Sequence, residues 1–220
     1  MKSTLENIKS DIIDFLKTNK ELLFNERDFQ MHLATWLRNS PQSYDDVDVE
    51  YFIPYQSLDN YVWKSELRLD IVVRKDSEYY PVELKYKTKA ICQNLKRFDE
   101  ELENKIMVVK NHGAQDLGMY DFWKDVRRIE LIRSRFKAVK GGLAVFVTND
   151  SHYLRGGKAT SNHINFSMTA GPHSKSKNWL RPNSISATTH PNFNVDKEYN
   201  ISWDKCIICG ETFNYCILEV

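Results

Sequence analysis

Two short stretches constrain this chain more than anything else in its 220 residues. From Glu66 to Arg74, Leu67, Leu69, Ile71 and Val73 alternate with Glu66, Arg68 and Asp70, and from Tyr79 to about Tyr86, Tyr80, Val82, Leu84 and Tyr86 alternate with Glu83 and Lys85. A period of two is the mark of a β-strand with one apolar face. The polar pair Asp76-Ser77 lies midway and predicts a hairpin in which opposed residue numbers sum to 153. In that register Val73 meets Tyr80, Ile71 meets Val82, Leu69 meets Leu84 and Leu67 meets Tyr86. A slip of one residue would set core residues against polar ones, so the pattern selects this alignment. It also sets Asp70 opposite Glu83, with Cβ atoms about 5 Å apart, and Lys85 two residues along on the same face.

Two facing carboxylates repel each other, which makes the arrangement a poor stabilising device. They are good ligands for a hard cation: Mg²⁺, or Mn²⁺, takes one or two carboxylates together with waters and phosphate oxygens. Lys85 would then hold water or a scissile phosphate. The chemistry this predicts is cation-assisted hydrolysis of a phosphodiester. The plainer alternative is an exposed hairpin face carrying a cross-strand charge network. Glu-x-Lys alone is uninformative, since ordinary Glu and Lys usage gives roughly one such triplet by chance in a chain of this size. What is specific is the spacing of the whole set: an Asp in an alternating strand, a short polar turn, then a second alternating strand bearing Glu83 and Lys85.

Leu69-Asp70-Ile71-Val72-Val73 followed by Pro81-Val82-Glu83-Leu84-Lys85 resembles the core of the PD-(D/E)XK nuclease superfamily. The resemblance implies an α/β, restriction-endonuclease-like αβββαβ core with a mixed central sheet flanked by helices, and nuclease activity on DNA rather than RNA. It also implies that a helix before the sheet adds an acid, for which Glu26 is the matching position. Glu50, on the polar side of an alternating segment Val47–Ile53, is a second candidate ligand beside Asp70 and Glu83.

The rest of the chain supplies elements for such a core. Leu5, Ile8, Ile12, Phe15 and Leu16 predict one helix, and Phe29, Leu33, Trp36 and Leu37 a second, capped by Asn25. From Ala114 to about Lys137 the set Phe122, Trp123, Val126, Ile129, Ile132 and Phe136 predicts a long crossover helix ended by Gly141-Gly142, with Lys124, Arg127, Arg128, Arg133 and Arg135 on an exposed side beside Asp121, Asp125 and Glu130. The unbroken apolar run Leu143–Val147 predicts a strand covered on both faces. Pro81 is awkward in a central strand, because it cannot donate to a ladder.

One domain over residues 1–220 is expected, with its core at about 26–150 and a basic, loop-rich extension at 151–220 that ends in a strand. No acid occurs between Ser151 and Val195, where Arg155, Lys158, Lys175, Lys177 and Arg181 mix with Tyr153, Phe166 and Trp179. With Lys87, Gln115 and Arg128, these basic residues are the expected contacts to nucleic acid, in a segment whose aromatics are suited to stacking, although taken alone it favours the plainer reading. The plain reading of the segment is a solvated loop with aromatics tucked beneath it, and His112 reads as a loop histidine. A net charge of +1 argues against a wholly basic coat protein. The N-terminus has no apolar leader, so a cytoplasmic protein without membrane contact is expected, with a homodimer left open. Cys92, Cys206, Cys209 and Cys216 are expected as reduced thiols in a chain with no export signal, and Cys206 and Cys209, lacking the second pair that structural zinc needs, are expected as core residues in the apolar company of Ile207, Ile208, Ile217 and Leu218. The class alternative to the enzyme is a non-catalytic nucleic-acid-binding or assembly module on the same fold.

Overall fold

The computed structural model describes residues 2–220, with the side chains of Glu103 and Asn104 left outside that description. Two helices open the chain, α1 at Thr4–Thr18 and α2 at Glu26–Arg38. Ser3 and Glu6 form a reciprocal capping box on α1, and the Asn25 side chain accepts the Asp28 N–H at the start of α2, as the sequence predicts. Then come β1 at Asp46–Ile53, β2 at Leu67–Lys75, β3 at Glu78–Lys87, β4 at Ile91–Arg97, β5 at Glu100–Val109, α3 at Gln115–Arg135 and β6 at Leu143–Thr148. Short pieces follow: β7 at Gly171–His173, β8 at Ser176–Lys177, α4 at Ile185–Thr189, β9 at Phe193–Asn194 and β10 at Tyr199–Ile201. The hairpin β11 at Asp204–Ile208 and β12 at Glu211–Glu219 comes last. No helix among the described residues is long and apolar enough to cross a membrane.

A mixed six-stranded sheet in the order β1-β2-β3-β6-β12-β11 forms the centre; β3 and β6 are parallel and the other pairs antiparallel. β6 is buried along its whole length. Its Leu143, Val145 and Val147 pack with α1 and α2, while Ala144 and Phe146 pack with α3 and the C-terminal segment. The sheet is thus covered on both faces, and the last strand lies inside it between β6 and β11.

The β2–β3 turn follows the predicted register. Lys75 pairs with Glu78, Val73 with Tyr80 and Ile71 with Val82, around Asp76 and Ser77 at φ of +51° and +65°. Left-handed conformations at both central residues suit the twist of a two-residue hairpin. Beyond Ile71 and Val82 the expected pairs Leu69–Leu84 and Leu67–Tyr86 do not form. The face assignment changes there too: Ile71 and Val73 pack toward α1 and α2, whereas Leu67 and Leu69 pack with Val72, Leu131 and Ile132 on the α3 side. Strict alternation fails because the backbone is irregular at one level of two neighbouring strands. Glu50 of β1 takes φ +53° and leaves the ladder opposite Asp70.

Pro81 is accommodated by the same geometry. Tyr79 N–H donates to Ala138 O, away from β2, so alternate groups along β3 turn to that side. Pro81 therefore needs no donor toward β2, and pairing with β6 begins only at Val82 and Leu143. Gly141-Gly142 is not the stop of α3, which ends at Arg135. Gly142 instead allows a close approach, since a Cβ there would lie 2.6 Å from Ile129 Cγ2 and 2.8 Å from Pro81 O. The sequence reading also contains no β4–β5 hairpin, whose tip carries Phe98 at 99% exposure.

Gly142→Ala should therefore destabilise the fold by about 1–3 kcal/mol through overpacking against main chain. Gly113, with nothing within 4 Å of an added Cβ, should tolerate alanine. Urea midpoints at constant m-value compare the two.

Candidate functional site

The site is made by the parting of β2 from β3. In an antiparallel ladder continued past Ile71 and Val82, the N–H groups of Leu84 and Tyr86 would next meet β2 carbonyls. Here Leu84 N–H donates to Asp70 Oδ2 at 2.7 Å and Tyr86 N–H to Glu26 Oε2 at 2.9 Å. Both donors belong to buried residues, and an unpaired buried N–H costs about 1–3 kcal/mol. Side-chain carboxylates have thus taken the place of main-chain acceptors, one from β2 and one from α2. On the β1 side Gln30 Nε2 donates to Asp70 O at 2.7 Å and to Glu50 Oε1 at 3.1 Å, which ties α2 to the level where Glu50 has left its ladder.

Glu83 projects from β3 at this opening and is 3% exposed. Its Oε2 accepts the Asp70 N–H at 3.3 Å, while Oε1 has no hydrogen-bond partner among the described residues. Lys85 follows on the same face. Its ammonium donates to Leu84 O at 2.9 Å, lies 2.5 Å from Asp125 Oδ2 and stands 4.0 Å from Glu26 Oε1. The Asp125 contact is an ion pair without the direction of a hydrogen bond. Asp125 comes from α3, and its Oδ1 accepts Arg128 Nη1 at 3.2 Å.

Four acids, Asp70, Glu83, Glu26 and Asp125, thus surround two bases, Lys85 and Arg128, in a largely desolvated place. Burial pushes the Asp70 carboxyl up to about 6, against the opposing pull of Lys85 and the Leu84 N–H. Burial, then Asp125 and Asp70, hold the Glu83 carboxyl well above the usual range. Burial works to lower the Lys85 ammonium, but Asp125, Glu26, Asp70 and Glu83 outweigh it and raise it. The common cause is surplus negative charge in a poorly solvated cleft.

Whether the residues suit a divalent cation turns on oxygen donors. Asp70 and Glu83 present carboxylates at one opening, and Glu83 Oε1 is a buried acceptor with nothing to accept. That donor chemistry fits a hard cation needing two protein carboxylates. Among the described residues no group of three or more His, Cys, Asp or Glu side chains converges as a ready-made metal cage.

Of the other expected site residues, Glu26 reaches the opening and Glu50 reaches its edge through Gln30. Lys87 lies on the same strand beyond Lys85. Gln115 donates to Asp150, which also binds Lys89. Arg155, Lys158, Lys175 and Arg181 are exposed. Two expectations need correction. Arg128 turns inward onto Asp125, with its side chain 13% exposed, and so is no surface phosphate contact. Lys177 is fully buried, its Nζ 3.5 Å from the Trp123 ring centre and donating to Asn165 O, and burial lowers its ammonium to about 7.

The presumed stacking aromatics Tyr153, Phe166 and Trp179 are likewise core residues packed on α3. Their basic neighbours had suggested a binding loop, but the segment's apolar side chains are what cover the sheet. The cysteines part in the same way: Cys206 and Cys216 are buried, whereas Cys209 is exposed at the β11–β12 turn with φ +52°, so only one of the close pair is a core residue.

Asp125 is the site residue the sequence reading misplaced. A helical wheel puts it between Ile129 and Ile132, inside the apolar stripe, and it is 2% exposed. An acid within such a stripe is the signal that could have found it. Glu130 is similar, being 5% exposed and bound to Arg127 and Tyr199. Comparison with protein-family models, curated proteins and solved structures yields no match to this chain.

Asp70 gives a pH prediction for the protein held in a chelator. Its carboxyl titrates near 3.9 unfolded and at about 6 folded, so between those values the folded state binds more protons. Stability contributed by this group should fall as pH rises from about 4 to about 6 and stay low above. Asp70→Asn, which keeps an oxygen for Leu84 N–H, should flatten that slope in denaturant titrations across pH.

Proposed function

We propose that this chain is a divalent-cation-dependent nuclease, hydrolysing phosphodiester bonds of DNA in preference to RNA, at the opening between β2 and β3. The observation that carries this reading is Glu83 Oε1, an orphaned buried acceptor in a cleft where four acids face two bases. With all four acids ionised, as a bound cation would favour, the surplus over the two bases would be two negative charges, which one divalent cation neutralises. The order α2, β1, β2, β3, α3, β6, with β4–β5 inserted before α3, supports the resemblance to the PD-(D/E)XK nucleases.

On this reading Asp70 and Glu83 hold the cation, which is Mg²⁺ or Mn²⁺. When bound, it would supply Lewis acidity toward a phosphate oxygen and ease deprotonation of water. The protein's own groups do the positioning. Asp70 is fixed by Leu84 N–H, so its remaining oxygen has a set direction. Lys85 presents a buried ammonium where negative charge grows as the phosphate is attacked, and a fixed charge in a desolvated cleft counts for more than one in water. Glu26, anchored on Tyr86 N–H, closes the α2 side and is placed to orient water.

The test is a cleavage panel of single-stranded, duplex and branched DNA and RNA with Mg²⁺ or Mn²⁺. Wild type should cut at least one substrate, and Asp70→Asn and Lys85→Ala should lose cutting while remaining folded. Independently of turnover, saturating Mn²⁺ should raise the wild-type melting temperature, and Asp70→Asn should lose that rise; an excess of 100 Kd corresponds to about 2.7 kcal/mol. Equal cutting by wild type and variants would refute the assignment. Binding of DNA with no cutting in either ion would favour a nucleic-acid-binding module on this fold.

A further inference from the structure

The four acids around Lys85 do not have the same duties. Asp70 takes the Leu84 N–H and Glu26 the Tyr86 N–H, so these two close main-chain vacancies left by the parted strands, and Glu83 takes the Asp70 N–H, so each of the three serves a main-chain donor. Asp125 has no such task. Its contacts are the Lys85 ammonium at 2.5 Å and the Arg128 guanidinium at 3.2 Å. It is 2% exposed and lies on the wheel between Ile129 and Ile132, just inside the border of the apolar helix stripe. Buried ion pairs are weak devices for stability, and replacing the whole pair by well-packed apolar groups is often neutral or favourable, so stability alone does not call for the Asp125–Lys85 pair. The placement of Asp125 is better explained by what it does to Lys85.

We propose that Asp125, itself oriented by Arg128, is the positioning residue that holds the Lys85 ammonium at the opening between β2 and β3. The proposal rests on the nuclease reading for its catalytic meaning, and on the geometry alone for the hold itself. A lysine has a long, flexible stem, and its ammonium would otherwise be drawn toward solvent. With one N–H on Leu84 O and the charge on Asp125, the side chain is fixed at 13% exposure with Glu26 at 4.0 Å on its other side. The acid comes from α3 and the base from β3, so the helix sets where the strand's reactive amine sits. Arg128, one turn on in α3, donates to the other carboxylate oxygen of Asp125 and shares its charge. Partners of this kind, one step removed from the reacting atoms, typically change activity by about 10–100-fold when removed.

The experiment uses the full chain with Asp125→Asn, Asp125→Ala and Arg128→Gln. Asp125→Asn keeps the shape and removes the charge, so it remains informative if the alanine variant folds poorly. Two readouts are taken. Acylation of Lys85 by an amine-directed reagent, followed by peptide mass spectrometry, should be slow in wild type and at least tenfold faster in Asp125→Asn, with exposed Lys158 unchanged as internal reference. In preparations that cut nucleic acid, kcat should fall about 10–100-fold in Asp125→Asn while KM stays within about twofold, and Arg128→Gln should show a smaller loss of the same kind. Unchanged Lys85 labelling overturns the proposal whatever happens to kcat. Unaltered kcat in a cutting preparation also overturns it, even with a lowered melting temperature, because Asp125 would then be structural only. If wild type cuts nothing, the nuclease reading fails, and the labelling result alone decides whether Asp125 holds Lys85.

Discussion

Everything distinctive in this molecule follows from the refusal of β2 and β3 to stay paired. A hairpin that begins in regular register at Asp76-Ser77 stops after Ile71 and Val82, and two buried N–H groups then need acceptors. Carboxylates from Asp70 and Glu26 provide them. Hydrogen bonds to ionised acceptors are stronger than neutral ones, which helps offset the cost of bringing acids into a buried place. The opening, its acidity and the inward turn of Lys85 are thus one structural event.

The irregularity is shared with β1. Glu50 adopts a left-handed backbone opposite Asp70, and Gln30 of α2 steps in to bond both. A non-glycine residue at positive φ costs about 1–3 kcal/mol and persists only where its surroundings hold it. Here the β1–β2 ladder closes on either side at Val49–Ile71 and Tyr51–Leu69, and Gln30 reaches from the helix to the Glu50 carboxylate and the Asp70 carbonyl. α2 therefore braces the site at two points one turn apart, Glu26 on β3 and Gln30 on β2 and β1.

Much of this was legible before any coordinates. Alternation fixed the hairpin register near the turn, apolar periodicity placed three helices, and the unbroken run Leu143–Val147 marked a strand covered on both sides. Asp70, Glu83 and Lys85 do come to one opening, but not by the cross-strand pairing that the alternation predicts: the β2–β3 ladder ends at Ile71 and Val82, and Asp70 and Glu83 meet through the Leu84 and Asp70 N–H groups. The parting itself was hidden, since Leu67 and Leu69 continue the same alternation while packing on the opposite face. Nothing in a period of two tells one face from the other once the backbone turns over. Asp125 escaped for a different reason: on a helix rich in both charges, an acid beside arginines reads as solvated unless its angular position is checked against the apolar stripe. Lys177 and Trp179 misled in the same manner, because a segment lacking acids looks like a surface even where its side chains are core.

The position of β12 has a consequence for how the chain reaches this state during synthesis. β6 carries β3 on one edge and β12 on the other, and β12 arrives more than sixty residues later. While the intervening loops emerge from the ribosome, a strand made wholly of Leu, Ala, Val, Phe and Thr presents an open edge. Edges of that kind invite pairing with other chains. Until the final hairpin is available, that edge of β6 lacks the partner it has in the finished sheet.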